Sequence, residues 1–131
     1  MKSSRGFTVI ELLIVVAVLV FASVIFFIQK QNIEIATRDD ARRTSINAIY
    51  YSLEEVYKPQ QGSYPRTVSE KKLPSVDPAL FNDPSGNEIG MGESNYRYEP
   101  TGCIADACTG YTLRTTMEQE DDYVKTNRTA Q

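Results

Sequence analysis

The chain reads as α+β: a long N-terminal helix, apolar in its first half and amphipathic in its second, packed on a small antiparallel sheet. Three observations predict this class. Residues 7–28 are almost wholly apolar and hold a single charge, Glu11. From Gln29 to Lys58 neither proline nor glycine interrupts the chain. Beyond residue 95, Tyr96 and Tyr98, and then Tyr111, Leu113, Thr115 and Met117, alternate with polar neighbours, which is the period-2 pattern of half-buried strands.

The apolar run comes first. At 1.5 Å per residue a helix over residues 7–28 covers about 33 Å, enough for a hydrocarbon core of about 30 Å. Lys2 and Arg5 precede it, and basic residues on that side hold the N-terminus in the cytoplasm. A cleaved secretory signal has an h-region of about 7–15 residues followed by a small-x-small cut site. This run is longer, and Ile25-Phe26-Phe27-Ile28-Gln29-Lys30 offers no such cut. A plain membrane anchor accounts for the length but not for Glu11. A carboxylate inside a span is costly and needs a partner, so Glu11 is a candidate functional residue.

The helix does not stop at the membrane. Ile35, Ile46, Ile49, Leu53, Val56 and Tyr57 fall on one helical stripe, and Glu34–Arg38 and Asp39–Arg43 are i,i+4 pairs. The expected helix runs from Phe7 to near Tyr57 and is ended by Pro59 and Gly62. Residues 58–94 hold five of the six prolines and read as a connecting region with little regular structure. Two strands follow, around residues 95–100 and 110–118, with a third in residues 122–126. Ile46, Ile49, Leu53 and Val56 are expected to pack on Tyr111, Leu113 and Met117 as the core.

Composition excludes several functions. After Ile28 there are 12 Lys/Arg and 16 Asp/Glu, a net charge of −4. A general nucleic-acid binder shows a basic face, so nucleic acid is not an expected partner. Arg38, Arg42 and Arg43 form the one basic cluster, interleaved with Asp39 and Asp40; it reads as an inter-subunit or solvated face. With no histidine and no glycine-rich phosphate loop, no catalytic constellation can be assembled, and the chain is not expected to be an enzyme. Cys103 and Cys108 bracket Ile104-Ala105-Asp106-Ala107 between the two strands. On an oxidising side of the membrane a bond between them stabilises the hairpin by about 2 kcal/mol; two free thiols are the alternative. Two thiols without histidine leave too few soft ligands for a structural metal. Asp77, Asp83, Asp106, Asp121 and Asp122 are hard oxygen donors in or near loops, without EF-hand spacing. They are expected to be solvated, with no cofactor; bound calcium is the alternative. Asn127-Arg128-Thr129 fits a glycosylation acceptor, a pattern short enough to arise by chance.

The stretch RGFTVIELLIVVAVL, residues 5–19, resembles the class III signal of type IV pilins and pseudopilins: a basic leader, glycine, phenylalanine, and glutamate five residues into the mature chain. The resemblance implies a pilin-like fold with residues 1–6 as cleaved leader, 7–28 as transmembrane and assembly helix, and 29–58 as its amphipathic continuation. Residues 59–94 are then a loop region and 95–131 the sheet and tail, with 29–131 forming one head. It implies that prepilin peptidase cuts between Gly6 and Phe7 and methylates the new amine on Phe7. Glu11 then faces the Phe7 amine of a neighbouring subunit, and two buried charges compensate one another. The implied function is a structural subunit of a type IV pilus, anchored in the cytoplasmic membrane before assembly and exposed on the cell surface after it, serving attachment and twitching motility. Its partners are copies of itself, other pilins, the peptidase, and the inner-membrane assembly platform with its ATPases. A type II secretion pseudopilin is the alternative, favoured by the Gly62–Pro65 turn and the residues 83–87 loop; so is a minor pilin with a binding role in DNA uptake or adhesion. Val20 and Ile28 stand where many major pilins carry glycine and proline.

Overall fold

The computed structural model describes residues 6–128. Helix α1 spans Val9–Tyr51, a π-helical turn follows at Ser52–Tyr57, and α2 covers Lys58–Gln61. Thr8 starts the helix: its hydroxyl accepts the N–H of Glu11 at 3.4 Å and its carbonyl accepts that of Leu12, as an N-cap does. Pro59 does not end the helix, contrary to expectation. The Lys58 N–H reaches back five residues to the Leu53 carbonyl, and this wider π turn admits a proline, which has no N–H to place in the ladder. Gly62 alone terminates it, in the left-handed conformation at φ 73° with its N–H on the Lys58 carbonyl, where a side chain would be strained.

The chain divides into two compact units, the first closing at Ile35 and the second opening at Ala36. In the first unit the helix is long and apolar enough to cross a membrane. Its large apolar side chains are exposed along its length.

The second unit is built on a four-stranded antiparallel sheet. β1 is Tyr64–Pro65, β2 Tyr96–Ile104, β3 Ala107–Thr115 and β4 Tyr123–Thr126. β3 is central: β2 pairs along one edge, while β1 and β4 share the other, at its two ends. Ile46, Ile49 and Leu53 bury against Tyr111 and Leu113 as expected, but Val56 and Met117 are only half-buried. The missing contribution comes from the region read as a plain connection. Tyr64, Val68, Leu73, Val76, Phe81 and Ile89 are all buried in the core, because one helical stripe is too narrow to cover the sheet face. Irregular backbone can lie there only if its polar groups are satisfied. Asp77 accepts the Ala79 N–H at the start of the 3-10 turn Pro78–Phe81. Buried Asp83 accepts the N–H groups of Ser85, Asn87 and Asn95 at 2.8–3.0 Å.

The hairpin between β2 and β3 turns at Ala105-Asp106. Cys103 and Cys108 are directly opposed in the register and form a disulfide.

Candidate functional site

The residues singled out at the N-terminus lie on the exposed surface of the first unit. Gly6 precedes the helix, and a Cβ built on it meets nothing within 4 Å. Folding therefore places no demand for glycine at position 6; any such demand comes from outside the chain. Phe7 is 76% exposed. Glu11 lies in the first turn of α1 and is exposed among Val9, Ile10, Leu12 and Leu13. The amide ends of the helix carry partial positive charge there and favour an acid. That is a modest local stabilisation and leaves the carboxylate oxygens without a counter-ion among the described residues. Gly6, Phe7 and Glu11 are thus brought into one short exposed segment. Lys2 and Arg5 lie outside the described residues.

In the second unit the basic cluster is not a basic surface. The Arg38 guanidinium holds Glu118 with two hydrogen bonds of 2.8 and 2.6 Å. Arg42, almost fully buried, bridges Asp39 at 2.7 Å and Glu118 at 2.8 Å. Arg43 pairs with Glu120 at 2.6 Å. Asp39 also accepts the backbone N–H groups of Glu118 and Gln119. The arginines therefore clamp the segment after β3 to the helix. The paired Arg38, with help from Arg42, holds the Glu118 carboxyl down at about 2. Burial pushes Asp39 up, yet the N–H of Glu118 and the Arg42 pair outweigh it and hold it below its ordinary value.

Sequence reasoning missed Glu54. It sits in the π turn, buried, and accepts hydrogen bonds from the Tyr64 and Tyr111 hydroxyls and from the Arg128 N–H at 2.8–3.2 Å. The signal was present: Glu54 lies eight residues beyond Ile46, on the buried stripe, and the sheet is rich in tyrosine donors. Burial and the adjacent Glu54 push Tyr64 up to about 12, and both raise Tyr111.

The remaining candidates are dispersed. Asp106 pairs with Lys72 at 3.1 Å, Asp121 and Asp122 are exposed, and Asp77 and Asp83 bind backbone amides. Among the described residues no three metal-ligating side chains converge. Asn127 uses its side-chain oxygen to accept the Tyr111 N–H at 3.2 Å; Thr129, the other half of that pattern, lies outside the described residues.

Residues 1–27 match a family described as the prokaryotic N-terminal methylation motif. No curated protein and no solved structure matches the chain.

Proposed function

We propose that this chain, which carries the class III signal of type IV pilins and pseudopilins in its first 27 residues, is a structural subunit of a type IV pilus. Prepilin peptidase cuts between Gly6 and Phe7 and methylates the Phe7 amine, and the subunit polymerises with copies of itself and other pilins. An inner-membrane platform and its ATPases drive assembly and retraction, giving attachment and twitching motility. The role is structural and not catalytic. One observation carries the reading: residues 1–27 match the prokaryotic N-terminal methylation motif, and Glu11 within them is exposed on the apolar helix. Apolar area gains little on leaving a bilayer, so packing and a specific polar contact must select the assembled state. A neighbour's Phe7 amine supplies that contact.

A pseudopilin of a type II secretion system is the second reading. Supporting it are the Gly62-capped helix end running directly into Tyr64–Pro65, and the loop organised by Asp83. A purified fibre whose principal subunit is this chain favours the pilus.

The test of the pairing is Glu11→Leu. Membrane insertion and cleavage are expected to persist, because a charge leaves the span and the cut lies beyond Phe7. Assembly is expected to fail, since each incoming amine is buried unpaired at a cost of about 3–5 kcal/mol. Normal fibres built from the Glu11→Leu subunit alone would exclude the pairing.

A further inference from the structure

The hairpin end of the second unit differs in chemistry from the rest of it. Ile104 is 83% exposed, and Ala105 and Ala107 beside it are exposed as well. Ala105 has φ 53°, a left-handed conformation that glycine or asparagine adopts with less strain. An Asn-Gly turn would be relaxed and polar. This chain instead keeps an apolar tip on a strained backbone, closed from behind by the Cys103–Cys108 bond. Observed strain of this kind points to a use for the residue that carries it.

Cations lie beside the tip. Arg66 donates to the Ala105 carbonyl at 3.2 Å, and Lys72 reaches Asp106 at 3.1 Å. Lys58 lines one groove with Gly62, Gly102, Ile104 and Ala107, its ammonium 4.2 Å over the Tyr64 ring, and Lys71 is the chain neighbour of Lys72. Lys58, Arg66, Lys71 and Lys72 against Glu70 and Asp106 give these six residues a net charge of +2, in a region after Ile28 that totals −4.

We propose that this hairpin end docks on a lipid surface bearing anionic headgroups. Ile104 enters the boundary between headgroups and acyl chains, and Lys58, Arg66, Lys71 and Lys72 face the anions. A hydrated polyanion such as nucleic acid would satisfy the cations and leave Ile104 in water. An anionic bilayer satisfies both at once. The disulfide-closed hairpin is ordered beforehand, so docking loses little conformational freedom. The proposal stands whether or not the chain polymerises.

The experiment uses the full chain reconstituted in phosphatidylcholine vesicles, with residues 36–131 facing the outer medium. These are mixed with dye-labelled vesicles of phosphatidylcholine and phosphatidylglycerol in equal amounts, and tethering is read by co-flotation. Anionic vesicles are expected to tether and pure phosphatidylcholine vesicles are not. Ile104→Asp should reduce tethering at least about tenfold, the equivalent of one buried aliphatic side chain. Lys71→Glu and added salt should each weaken it. Ile104→Ser, at the same exposed position, separates loss of the apolar group from the added charge and should also fall. Equal tethering of both vesicle types, none of either, or tethering undiminished in Ile104→Asp overturns the proposal. So does a DNA duplex that binds Ile104→Asp as well as the parent and displaces the vesicles, which would make the tip a polyanion site.

Discussion

At the scale of single residues, two carboxylates organise the second unit and each makes a prediction. Glu118 has an ordinary value of 4.5 and is held near 2 by Arg38 and Arg42. A carboxyl lowered in the fold stabilises it fully above its unfolded value and loses that contribution as the pH falls through the folded one. Stability is therefore expected to decline between about pH 4.5 and pH 2, with Asp39 shifted in the same direction. Glu118→Gln should flatten that part of the profile. Denaturant unfolding followed by tyrosine circular dichroism checks this, and an unchanged slope in the variant would contradict it. Glu54 makes the second prediction. Glu54→Ala leaves two buried tyrosine hydroxyls and the Arg128 N–H without their acceptor, at a cost of about 2–3 kcal/mol or more. Glu54→Gln keeps an acceptor oxygen and should cost less. Equal losses in the same unfolding measurement would mean that packing, and not hydrogen bonding, is what Glu54 supplies.

At the scale of elements, the hairpin is the most testable part. Cys103→Ser/Cys108→Ser should lower stability by about 2 kcal/mol, the loop-closure value for so short a ring. Helix content should be unchanged. Gly102 should tolerate no side chain: it has φ 61°, and a Cβ there would lie 2.1 Å from the Thr109 hydroxyl oxygen. Gly102→Ala is expected to destabilise the hairpin, read as a lowered unfolding midpoint. How much of each element could be read beforehand depended on its pattern. β3 was visible because Tyr111, Leu113 and Thr115 alternate cleanly. β2 was read only to Pro100, since Gly102 breaks the alternation before the strand ends at Ile104. Pro100 itself is tolerated because β2 is an edge strand. β1 is two residues long, too short to leave a periodic signal. The buried residues from Val68 to Ile89 carry no regular period, because turn hydrogen bonds, the Asn82–Glu88 bridge and aspartate-to-amide bonds, and not a long ladder, hold that backbone in place.

At the scale of the whole molecule, the apolar helix of the first unit is long enough to cross a membrane, and the proposed pairing with a neighbour's Phe7 amine gives Glu11, the one charge of residues 7–28, a role there. Glu11 stands out in the sequence because a lone carboxylate in a span violates the local rule so plainly. The arginine clamp was not, since the partners of Arg38, Arg42 and Arg43 lie near residue 120 and only the fold brings them close. On the proposed function the chain is a prepilin, cut and methylated before it assembles, and the intact mass of the protein isolated from cells decides this. A processed chain begins at N-methylated Phe7 and lacks Lys2, Arg5 and Gly6. Assembled protein that still begins at Met1 would contradict it.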